Sequence, residues 1–96
     1  MALDQMKMLN QLRKAQKELK KEKVVVEAGD GLVEVTINGE LKIEDVTINR
    51  DMVDLDNLQD LESAIQSAVR DGLAKAQEIA AEKMKPLMGG LGNLGL

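Results

Sequence analysis

An α+β domain with the element order α-β-β-β-α is predicted from three observations. The first is Gly31–Asn49, in which Val33, Val35 and Ile37 alternate with Glu34 and Thr36, the period of a half-buried strand. The second is that a long helical pattern flanks this stretch on each side. The third is that the turns between the strands are short, which makes an antiparallel meander rather than a crossover topology.

The first helix is predicted over Asp4–Glu22. Met8, Leu12, Ala15 and Leu19 recur at steps of four, three and four, with Leu9 beside them, the stripe of a packed helix. At about 100° per residue, Lys7, Arg13, Lys14, Lys17, Lys20 and Lys21 fall in an opposite arc roughly 140° wide. Leu3 and Met6 lie on that basic side, so the first turn frays or touches a partner. A face of this kind is commonly just solvated lysine, and alone it is a weak signal for a nucleic-acid partner.

The first strand is predicted at Lys23–Ala28 through Val24-Val25-Val26, and Gly29-Asp30-Gly31 turns the chain into the next. Asn38-Gly39 is expected to supply the two positive-φ residues of a tight hairpin. In the third strand Leu41 and Ile43 sit on one phase and Val46 and Ile48 on the other, so a bulge is expected near Glu44-Asp45. Asp51, Asp54 and Asp56 crowd the entry to the second helix. Asp56 (or Asp54) is the expected cap, with Gln59 three residues beyond Asp56. That helix is predicted over Asn57–Lys85, stopped by Pro86 and Gly89-Gly90.

On the second helix, Leu58, Leu61, Ile65, Ala68, Val69, Leu73, Ala76, Ile79 and Ala80 make an apolar stripe. Ala64, Ala68, Gly72, Ala76 and Ala80 place small residues at four-residue spacing, suited to close helix approach. At 1.5 Å per residue the helix is about 43 Å long, more than the roughly 30 Å of a small domain. Part of it must protrude, and a protruding apolar stripe calls for a second copy. Residues 1–86 form the domain, and residues 87–96 a flexible Gly/Leu-rich tail.

Composition narrows the function. The chain has 96 residues, 44% of them hydrophobic, yet no Phe, Trp or Tyr. Small chains bury a modest share of their surface, and without aromatic bulk oligomerisation is the usual remedy. There is no cysteine, hence no disulfide and no thiolate metal site. Asp4, Lys7, Asn10 and Arg13 interrupt any secretory h-region, and no apolar run nears the roughly 20 residues of a membrane span. A soluble cytoplasmic protein is expected.

The net charge of −4 hides an asymmetry: residues 1–23 hold seven basic and three acidic side chains, the rest six basic and fourteen acidic. Such separation speaks of partners rather than fold.

Catalysis finds little support. There is no His, Cys or Tyr, and Ser63 and Ser67 stand in a helix without a base to activate them. The Asp51, Asp54, Asp56 cluster is explained by helix capping, and an EF-hand is excluded because Leu58 takes the third ligand position. Gly90–Gly95 spells G-x-G-x-x-G but follows a helix and precedes none, the reverse of the dinucleotide site. Met1, Met6, Met8, Met84 and Met88 are read as dimer or terminal packing. No enzymatic activity, cofactor, metal or small-molecule substrate is expected. Without aromatics to stack on unpaired bases, single-stranded recognition is disfavoured, whereas duplex phosphates need only positioned cations.

The segment Gly31–Gly39, GLVEVTING, with its spacing to Val46 and Ile48, resembles the YbaB/EbfC family of bacterial nucleoid-associated DNA-binding proteins, and the resemblance covers nearly the whole chain. It implies a tweezer-like homodimer with the sheets joined and the helices projecting. It also implies duplex DNA binding in the nucleoid, with effects on gene expression. The helix cations Lys7, Arg13, Lys14, Lys17, Lys20 and Lys21 stand where the family's DNA-contacting helices would be. Many relatives carry Asp-Pro where this chain has Asn49-Arg50, which alters the loop before the second helix. The alternative is a cytoplasmic protein-interaction adaptor without DNA contact, suited to the acidic sheet and helix entry.

Overall fold

The computed structural model describes residues 2–92. Its elements are α1 (Ala2–Lys21), β1 (Lys23–Ala28), β2 (Val33–Asn38), β3 (Ile43–Ile48), a 3-10 turn (Arg50–Met52) and α2 (Leu58–Gly92). The three strands form one antiparallel sheet in the order β1-β2-β3. The predicted α-β-β-β-α order is therefore the observed one.

The core lies between α2 and one face of β1 and β2. Val24 and Val26 of β1 and Val33, Val35 and Ile37 of β2 are buried, while Val25 and Glu34 between them point outward. Ala64, Ala68 and Ala76 of α2 complete the cluster, with Leu61, Ile65, Val69, Leu73 and Ile79 packed at its margins. The four-residue spacing of small side chains thus seats α2 on the sheet rather than on another helix. Gly72 marks the closest approach, where a Cβ would stand 2.6 Å from Ile37 Cδ1.

Both turns of the meander depend on local backbone geometry. Gly29, Asp30 and Gly31 have φ of 66°, 56° and 93°, and Leu32 N–H closes the turn on the Gly29 carbonyl at 3.2 Å. The second turn differs from expectation. Neither Asn38 nor Gly39 has positive φ; Leu41 does, at 68°. Asn38 and Lys42 close a three-residue loop, with Asn38 N–H donating to the Lys42 carbonyl at 3.0 Å. This is the turn that ends in a left-handed residue rather than the two-residue form. Gly39 is needed for space instead, since a Cβ there would lie 2.5 Å from the Leu19 carbonyl oxygen. Pairing then runs Ile37↔Ile43 and Thr36↔Asp45, so Glu44 is the extra residue of the expected bulge.

The ends of α2 also correct the sequence reading. Asn57, not Asp56, directly precedes the helix, and its side-chain amide donates to Asp60 at 3.0 Å. Asp54 instead accepts from the Asp56 N–H at 2.9 Å, shaping the loop that leads in. At the other end the helix does not stop at Lys85 but passes through Pro86 to Gly92. Proline in a helix interior removes one backbone hydrogen bond and costs about 3 kcal/mol. The strong helix formers Ala80, Ala81, Glu82, Lys83, Met84 and Lys85 before it carry the helix onward. Residues 87–92 of the expected tail are accordingly helical, and the remainder lies outside the described residues, as do Met1 and the end of the Gly90–Gly95 motif.

The radius of gyration is 18.4 Å and the extents are 64 × 22 × 14 Å. A compact chain of this length would have a radius near 12.5 Å. Protrusion of the long helix, inferred from its length, is thus real. No helix among the described residues is long and apolar enough to cross a membrane.

Candidate nucleic-acid interface

α1 meets the rest of the molecule along one stripe near its C-terminal end. Ala15 and Leu19 are buried and Leu12 half-buried, as the periodicity marked, whereas Met8 and Leu9 of the same predicted stripe are exposed because no other element among the described residues reaches them. Glu22, just past the helix, is half-buried. Two bonds bolt this end to the β2–β3 turn: Gly39 N–H donates to the Leu19 carbonyl at 2.8 Å and to the Glu22 carbonyl at 3.2 Å. Glu22 also pairs with Lys83 of α2 at 3.5 Å. Residues 4–11 of α1 are exposed, Met6, Met8 and Leu9 among them.

Lys7, Arg13, Lys14, Lys17, Lys20 and Lys21 are all exposed. None of the six makes an ion pair among the described residues, where the pairs are Lys23–Glu44, Arg70–Asp71 and Lys83–Glu22. The helix divides them into two rows. Arg13, Lys17 and Lys20, at steps of four and three, line a shallow groove of about 220 Å³ with Gln16 and Glu40. Lys7, Lys14 and Lys21 repeat every seven residues along the other side of the arc and do not line that groove. Like charges three or four residues apart on a helix repel by a few tenths of a kcal/mol per pair. An anion between them would relieve that repulsion.

Two lining residues escape sequence reading. Gln16 is uncharged and shows no signal. Glu40 reaches the groove only because the β2–β3 turn docks on α1, a contact whose one trace in the sequence is Gly39.

The opposite pole is acidic. A cleft of about 460 Å³ opens between the Gly29–Leu32 turn and the start of α2, with Asp30, Asp54 and Asp60 at its rim and Leu32 and Leu61 in its floor. Ser63 and Ser67 also line it. No group of acidic side chains among the described residues is placed to hold a metal ion.

β3 presents a third surface. All six of its residues are exposed. Ile48, Val46 and Ile43 pair directly with Val33, Val35 and Ile37, so they share the face that α2 covers elsewhere. They remain 37%, 43% and 48% exposed, and Leu41, Met52, Leu55 and Leu58 are exposed as well.

Comparison with known proteins places this arrangement in a group. The profile of the YbaB/EbfC DNA-binding family matches residues 1–91. A nucleoid-associated protein of Rhodococcus opacus is 40% identical over 89 residues, covering 93% of this chain and 79% of the relative. Another from Thermobifida fusca is 43% identical, covering 88% of this chain and 77% of its own. One from Ruminiclostridium cellulolyticum is 36% identical, with 92% and 76% covered. The crystal structure of an uncharacterized protein from Helicobacter pylori superposes with a TM-score of 0.77 at 21% identity, covering 91% of this chain and 89% of that one. That last likeness concerns the fold.

Proposed function

The chain belongs to the YbaB/EbfC DNA-binding family and has the function of a DNA-binding, nucleoid-associated protein; we propose that it engages duplex DNA as a homodimer through the basic face of α1, shaping the bacterial nucleoid and influencing gene expression. The observation that carries this reading is the set of six cations on one helix face that make no ion pair among the described residues. From Lys7 to Lys21 they extend about 21 Å along the helix axis. Each strand carries one phosphate per about 3.4 Å of duplex axis, so the face spans the axial length of roughly six base pairs. The acidic residues in and just after α1, namely Asp4, Glu18 and Glu22, fall outside the basic arc. The acidity of this segment therefore stays off the basic arc of the helix. No catalytic step enters this reading.

The uncovered apolar face of β3 supports the dimer. An edge strand with free N–H and C=O groups and exposed branched side chains is a template for another strand. A second copy with its own β3 alongside would bury Ile43, Val46 and Ile48 of both protomers and leave the two α1 helices free to flank a duplex.

The test is fluorescence anisotropy of a labelled duplex across a salt series. Engagement of four to eight phosphates gives a log–log slope of roughly −4 to −7. The triple variant Lys14→Glu, Lys17→Glu, Lys21→Glu should abolish binding while remaining dimeric. Unchanged affinity in that variant would sink the assignment, and no binding of the parent protein even at low salt would move the function to a protein partner.

A further inference from the structure

We infer that Glu40 is a built-in electrostatic brake on phosphate binding at the α1 groove, an inference that rests on the DNA-binding reading above. Glu40 is half-buried at the lip of the groove lined by Arg13, Gln16, Lys17 and Lys20. It is the one acidic residue among the five that line it.

Its position is set by the fold. Asn38, only 4% exposed, accepts the Glu40 N–H at 2.9 Å and the Lys42 N–H at 3.1 Å on its side-chain oxygen. The neighbouring Gly39 N–H is tied to the last turn of α1, at 2.8 Å from the Leu19 carbonyl. The backbone at residue 40 is therefore held against the basic helix from both sides, and the side chain has only its own rotamers with which to leave.

A glutamate serving to pin α1 would close an ion pair with a lysine. Glu40 makes none within 4.0 Å among the described residues. Its charge instead acts at longer range, lowering the positive potential that Arg13, Lys17 and Lys20 create. A phosphate entering the groove meets this carboxylate as a like charge. The consequence is a groove that attracts a duplex yet releases it readily, suited to a protein that must not lock DNA in place.

The experiment compares duplex affinity of the full chain with that of Glu40→Gln and of a control, Glu62→Gln. Glu62 is exposed at the start of α2, the end of that helix where Ala64 meets Gly29, at the pole away from the groove. Both variants change net charge equally, so a global effect moves both together. One unit charge within a Debye length, about 10 Å at 0.1 M salt, should change affinity roughly 3- to 10-fold per groove. Glu40→Gln is expected to bind tighter by that factor at 0.1 M salt, with the gain shrinking as salt rises, while Glu62→Gln stays within about twofold of the parent.

Equal affinities for the two variants would overturn the brake. Weaker binding by Glu40→Gln would overturn it too, because the carboxylate would then be accepting a hydrogen bond from DNA. If Lys17→Glu abolishes binding while Glu40→Gln changes nothing, the brake falls and the DNA-binding reading stands. If the parent chain binds no duplex at low salt, both fall.

Discussion

β2 and β3 are neighbours in one sheet and carry similar branched apolar residues, yet their fates differ. Val33, Val35 and Ile37 have no accessible surface, while their direct partners Ile48, Val46 and Ile43 remain more than a third exposed. The difference lies in what covers them. A helix with its side chains is about 10–12 Å across, and strands repeat about every 4.8 Å. One helix thus seals two strands and leaves the third outside its footprint. Ala64, Ala68, Gly72 and Ala76 press α2 down over β1 and β2, and no element among the described residues does the same for β3.

The largest expected effect comes from charging the uncovered strand. The double variant Val46→Asp, Ile48→Asp should dissociate the proposed dimer by more than 4 kcal/mol, because joining the strands would bury unpaired carboxylates. Analytical ultracentrifugation should find a monomer whose far-UV circular dichroism is retained; a dimer of unchanged affinity would place the interface elsewhere. On the covered strand, Ile37→Ala should cost about 3–4 kcal/mol in urea denaturation, from lost burial and the cavity left under α2. A loss below about 1 kcal/mol would show that α2 does not seal this strand.

Smaller effects probe how the covering helices are placed. Gly39→Ala should destabilise by about 2 kcal/mol, since a Cβ 2.5 Å from the Leu19 carbonyl forces α1 away from the turn. Thermal unfolding would register the loss, and wild-type stability would mean that α1 docks differently. Asn57→Ala should cost about 0.5 kcal/mol through the lost side-chain bond to Asp60 at the start of α2. The same change at Asp56 should cost less, which reverses the ranking that sequence spacing suggests; denaturation of both variants decides between them.

Much of the fold was legible because its signals are local. A valine run marked β1, alternation marked β2, steps of three and four marked the part of α1 that packs at Leu12, Ala15 and Leu19, and a phase change placed the bulge near Glu44-Asp45. The misreadings share a cause. Asn38-Gly39 has the composition of a two-residue turn, but Gly39 is small because the α1 backbone passes against it. Pro86 is a local stop signal overridden by the helix formers before it. Asp56 has cap-like spacing, yet the loop through Asp54 brings Asn57 to the capping position instead.

The candidate site divides along the same line. The basic arc on α1 follows from residue order alone, because helical geometry converts spacing into angle without help from the rest of the chain. The split of that arc into a groove-lining row and an outer row was decided by tertiary structure, as were the meeting of Glu40 with Arg13, Lys17 and Lys20 and the uncovered face of β3. Each depends on where one element comes to rest on another that is distant in sequence, and periodicity within an element carries no record of its neighbours.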